Sequence, residues 1–81
     1  MKRTARYIPE IRGCYGPRLW VDQADRELVE FLTLISLWGG PVNYENLEDG
    51  KRNILFELPF GTFENTLWQM AVSRLDLCLV H

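Results

Sequence analysis

The chain has 81 residues, 47% of them apolar and 25% charged, with a formal net charge of −2. That length allows a single domain, 1–81, which buries only about two-thirds of its unfolded surface and gains from a partner or a second copy. The composition excludes a disordered chain, and no apolar run approaches the ~20 residues that span a bilayer.

The charge is unevenly placed. Lys2, Arg3, Arg6, Arg12 and Arg18 stand against Glu10 alone in residues 1–18, giving +4 there. Residues 19–50 hold Arg26 against seven acids, giving −6. A basic arm at residues 1–5 beside an acidic middle suits internal pairing, pairing of two copies, or an acidic partner. No apolar segment follows Lys2, Arg3 and Arg6, so this stretch does not read as a secretory signal. The two cysteines, Cys14 and Cys78, match no disulfide framework or metal spacing, which favours free thiols and a cytoplasmic setting.

Residues 4–12 read as extended, with Tyr7 and Ile11 alternating against Arg6, Glu10 and Arg12. Pro9 removes a ladder donor, which argues for an edge or a bulge. Gly13 to Pro17 is a turn, and Arg18 to Val21 is a short return strand or the lead-in to a helix. The longest helix-periodic stretch is 22–38. Ala24, Leu28, Phe31, Leu32, Leu34, Ile35 and Trp38 share one broad arc at 100° per residue, with Leu34 and Trp38 at its margin. Asp22 or Asp25 caps its start, and Gly39-Gly40-Pro41 stops it. Val29 and Leu37 fall among the polar residues of this helix.

Val42–Leu47 and Lys51–Leu58 form a hairpin. A three-residue loop, 48–50, with Gly50 left-handed pairs Tyr44 with Ile54 and gathers the apolar side chains on one face. Leu55 then faces the other way with Asn43, Asn53 and Glu57. Pro59 ends the strand. Thr62 is the expected cap of a helix from Phe63 to about Arg74, with Phe63, Leu67, Met70 and Ala71 as core and Trp68 and Val72 on a shoulder. Leu75–Val80 reads as a final strand covered on both faces. The expected fold is α+β: a small ferredoxin-like βαββαβ sandwich, two helices on one face of an antiparallel sheet, with room for an extra N-terminal edge strand.

Little in the chain suggests chemistry. The one histidine, His81, lacks an orienting partner in sequence, and no zinc or calcium spacing occurs, so no catalytic residue, metal or cofactor is expected. The segment Gly13-Cys14-Tyr15-Gly16-Pro17-Arg18 resembles the phosphate-cradling loop of acylphosphatases. That resemblance covers six residues and implies an anion site at Arg12, Gly13, Gly16 and Arg18. Lys51–Phe56 occupies the strand where RNA-recognition motifs, which it resembles in position, carry stacking aromatics. Here Phe56 alternates with the core face, and the acidic net charge opposes phosphate binding. By elimination, the sequence reads as a small binding or regulatory protein acting through protein–protein contact, in the manner of phage-encoded inhibitors of host complexes. Its partner is another protein or a second copy in a weak homodimer, with neither nucleic acid nor membrane. The expected interface is the surplus of apolar residues outside the two core stripes: Val29, Leu37, Trp38, Trp68 and Val72.

Overall fold

The computed structural model describes residues 3–80, so Met1, Lys2 and His81, with the readings placed on them, lie outside the described residues. Five strands form one mixed sheet: β1 (Arg3–Ile8), β2 (Arg18–Val21), β3 (Asn43–Asn46), β4 (Arg52–Glu57) and β5 (Leu77–Val80). Helix α1 (Arg26–Ile35) joins β2 to β3, and α2 (Thr66–Arg74) joins β4 to β5. The strand order is β3-β4-β2-β1-β5. All neighbours are antiparallel except β1 and β5, which run parallel.

The small α+β architecture is as the hydrophobic pattern predicts, but the strand order is not that of a ferredoxin-like sheet. The N-terminal strand is not an edge strand. It is inserted between β2 and β5. Because β2 already pairs with β4 on one side, its other edge is filled by β1, and β5 docks outside. β5 is therefore one edge strand and β3 the other, and of the residues of β5 only Leu77 is fully buried. Pro9 lies just past the end of β1, where its missing donor costs the ladder nothing.

Strand alternation sends Ala5, Leu19, Val21, Ile54, Phe56 and Leu77 to one face. There they meet Leu28 and Leu32 of α1 and Trp68 of α2 in a single buried cluster. An aromatic row ties the layers together. Tyr7 meets Phe63 edge-on at 4.4 Å, Phe63 meets Trp68 edge-on at 5.1 Å, and Trp68 stacks on Phe31 at 6.3 Å. These centroid spacings fall in the favourable range for aromatic pairs.

The β3–β4 hairpin has the expected register, with Tyr44 opposite Ile54 and Asn43 opposite Leu55. Gly50 sits at φ +74, and the Leu47 N–H donates to the Lys51 carbonyl at 2.9 Å, closing the three-residue loop. Helix α1 is shorter than its periodicity suggests. It ends at Ile35 because Ser36 turns extended, and the Ser36 hydroxyl donates to the Thr33 carbonyl at 2.9 Å. Its N-cap is Asp25 by position, but the carboxylate makes no cap bond. Instead it receives two hydrogen bonds from Arg3, at 2.8 and 3.1 Å.

Helix α2 departs most from expectation. Thr62 does not cap it: the hydroxyl donates to the Pro59 carbonyl, and residues Thr62–Glu64 form a separate 3-10 turn. The cap is Asn65, whose Oδ1 accepts from the Leu67 N–H at 2.8 Å. That break removes Phe63 from the helical period. The buried side of α2 becomes Trp68 and Leu75, with Ala71 and Val72 half-buried, while Leu67 and Met70 face outward.

Candidate protein-binding groove

The groove begins where β4 ends. Pro59 cannot continue the ladder, and the chain turns through Phe60-Gly61-Thr62, held by the Thr62 N–H and hydroxyl on the Pro59 carbonyl. This turn projects Phe60 outward, leaving it 58% exposed. Opposite, α1 presents Phe31 and Ile35, one turn apart. Between them lies a groove of ≈ 440 Å³ floored by Trp68 and walled by Phe31, Ile35, Phe60 and Leu67. None of the side chains that line it is charged.

The rims are apolar and open. Leu34 of α1 is 85% exposed, and Leu67 and Met70 of α2 are 73% and 64% exposed. Leu37 and Trp38 are also exposed. The Leu37 N–H donates to the Glu57 carbonyl at 2.8 Å, which brings the end of α1 to the same corner from which Phe60 emerges. A second cavity, ≈ 320 Å³, lies on the other side of α2 among Tyr7, Phe63, Trp68, Gln69, Val72 and Leu79.

Of the residues expected at an interface, Leu37 and Trp38 are open to solvent but do not line this groove. Val29 and Val72 are half-buried and packed against the core. Trp68 is 5% exposed and belongs to the core, so it cannot form an exposed shoulder. The phase break at residues 62–65 explains the exchange, because it rotates Trp68 inward and Leu67 and Met70 outward. Sequence reasoning missed Phe60. The available signal was an aromatic held between Pro59 and Gly61, a turn that cannot bury it.

The expected anion site is arranged differently. Ile11, Cys14 and Tyr15 close a tight turn in which the Cys14 and Tyr15 N–H groups both donate to the Ile11 carbonyl. Arg12 and Gly13 are exposed on that turn, whereas Gly16 is buried against the Leu58 carbonyl. The Arg18 guanidinium lies 3.5 Å over the Tyr15 ring, with Nε 3.9 Å from Glu57. Two loop N–H groups thus donate internally and the Arg18 guanidinium covers the Tyr15 ring, while its buried Nε has no hydrogen-bond partner among the described residues.

On the sheet face away from the helices, Val80, Arg6, Trp20, Leu55 and Asn43 form one cross-strand row. Phe56 points to the core, as the alternation requires. At one end of the molecule Arg3 binds Asp25, Glu27 and the Leu75 carbonyl. The Arg3 hydrogen bonds hold the Asp25 carboxyl below the ordinary aspartate value, and the same bonds raise Arg3. This cluster ties β1 to both helices. Among the described residues no group of three His, Cys, Asp or Glu is placed to hold a metal, and no helix is long and apolar enough to cross a membrane. No family model, curated protein or solved structure matches the chain.

Proposed function

We propose that the protein is a small cytoplasmic binding or regulatory module that acts by protein–protein contact, without chemistry of its own. The observation that carries this reading is the uncharged groove between α1 and the Pro59–Leu67 segment, with Leu34, Phe60 and Leu67 exposed around it. Solvent-facing apolar side chains that surround a preformed groove are the surface type that partners cover. In fold terms, the chain reads as a split βαβ unit (β2-α1-β3, β4-α2-β5) with β1 added between its first and last strands. An inhibitor of a larger complex is one role such a module fills.

The test is capture from the native host by tagged protein, comparing wild type with Leu34→Glu and Leu67→Glu. Loss of the same captured protein from both variants, with their folds intact, supports the groove as the interface. Identical capture by all three removes it.

A nucleic-acid reading keeps one specific support, the Trp20 ring beside Arg6 on the open sheet face. Such a platform binds through stacking and phosphate contacts, so retention on oligonucleotides should fall steeply with salt. Absence of binding at low salt, or binding unaffected by Trp20→Ala, retires it.

A further inference from the structure

We infer that the groove is covered by a second copy of this chain, in a two-fold dimer whose contact is made by α1 and α2 of both copies. This rests on the groove being a protein-binding surface. Three observations select the occupant.

Area comes first. Leu34, Trp38, Phe60, Leu67 and Met70 are each more than half exposed. With large apolar side chains at roughly 150–250 Å² apiece, together they present on the order of 700 Å². That sum is close to the ~800 Å² each partner contributes to a stable interface, with Phe60 and Leu67 lining the groove itself.

Shape comes second. A two-fold contact requires one surface to complement itself. This face carries both halves of such a fit: a recess between Phe31 and Phe60, and the projecting Leu34 and Leu67 on its rims. A leucine of one copy is the size of side chain that the recess of the other accepts.

Charge comes third. The recess is lined without a charged residue, so two identical copies meet with no like-charge repulsion at the centre. The charges on α1 are paired, Arg26 with Glu30 at 3.0 Å and Glu27 with Arg3 at 2.8 Å. Apolar, uncharged centres are characteristic of homodimer interfaces.

The experiment is sedimentation equilibrium on untagged full chain from about 1 µM to about 1 mM, the range in which interfaces of this size associate. Wild type, Leu34→Glu, Leu67→Glu and Tyr44→Glu are compared, each checked for folding by circular dichroism. Tyr44 is exposed on β3, is not among the residues that line the groove, and serves as the control. Wild type and Tyr44→Glu should dimerise alike. Each groove variant should raise the dimer dissociation constant at least tenfold, because two-fold symmetry places every substitution in the contact twice. A wild-type monomer at all concentrations overturns the second copy and leaves the groove reading to the capture test. A dimer unaffected by both groove variants overturns the second copy at this face, and it calls for the capture comparison to decide whether the groove binds anything. A monodisperse trimer or larger closed ring overturns the two-fold arrangement.

Discussion

The placement of Trp68 can be tested against its neighbours on the same helix. Trp68 is 5% exposed, stacks on Phe31 and meets Phe63 edge-on, whereas Leu67 is 73% exposed. Replacing a buried tryptophan by alanine removes its transfer energy and leaves a cavity, together costing about 3–5 kcal/mol. Two aromatic pairs are lost as well, so the upper half of that range is expected. At ~0.05–0.15 kcal/mol per residue, a domain of this size has a total stability of roughly 4–12 kcal/mol. Trp68→Ala should therefore leave the fold marginal or unfolded. Leu67→Ala should stay within about 0.5 kcal/mol of wild type, as solvent-facing substitutions do. The assay is urea denaturation followed by far-ultraviolet circular dichroism, since tryptophan fluorescence changes with the mutation itself. With a slope near 1 kcal/mol/M for a small chain, the Trp68→Ala midpoint should fall by about 3 M or more. A wild-type midpoint for Trp68→Ala together with a large drop for Leu67→Ala would reverse the assignment. It would restore the helix phase that the unbroken sequence pattern implies.

Gly16→Ala should destabilise by about 1–3 kcal/mol in the same assay, because its added Cβ would stand 2.5 Å from the Leu58 carbonyl oxygen, a backbone atom that cannot swing aside. Gly50→Ala should cost about 1–2 kcal/mol through its left-handed φ alone, since no atom lies within 4 Å of the new Cβ. A tolerated Gly16→Ala would show that the turn is not packed against β4. The Arg3–Asp25 pair gives a pH signature. Asp25 is held below its ordinary value, so its contribution is complete above the unfolded aspartate value of about 4 and is lost as pH falls through the lower folded value. Because the carboxylate is 44% exposed, the effect is a fraction of a kcal/mol. Arg3→Ala should flatten the acid limb of the stability profile below about pH 4, and an unchanged limb would remove the pair from the account.

The parts of this fold legible in the sequence are those governed by local pattern. The β3–β4 register follows from a period of two, since only one loop length puts Tyr44, Ile54 and Phe56 on a common side. Arg18–Val21 is legible only as either a short strand or the lead-in to the helix, and it is a strand. Strand order is a different kind of information. Nothing within residues 3–8 distinguishes a strand at the edge from one inserted between β2 and β5, because either place satisfies the same alternating side chains. The candidate site was half legible. Leu37 and Trp38 stand out as apolar residues beyond a clean stripe. The error on α2 came from treating residues 63–74 as one continuous period, when Thr62 and Asn65 both offered capping side chains and the latter took the role. With a turn between them, the arc shifted: Trp68 became the floor of the groove, and Leu67 and Phe60 took the exposed positions expected of Trp68 and Val72.

The pairing of β1 with β5 bears on how the chain is made. Arg3 to Arg6 hydrogen-bond beside Leu77 to Val80, so strands more than seventy positions apart are neighbours. Contacts of that separation close the longest loop available, and they form late on the way to the native state. During synthesis β1 can pair early with β2, but its second edge stays open until residue 80 has been added. For that interval β1 is an open edge of the nascent sheet, the feature that invites pairing with another chain. A delay in translation placed between residues 66 and 80 should therefore lower the soluble yield of this protein more than the same delay placed within residues 3–50.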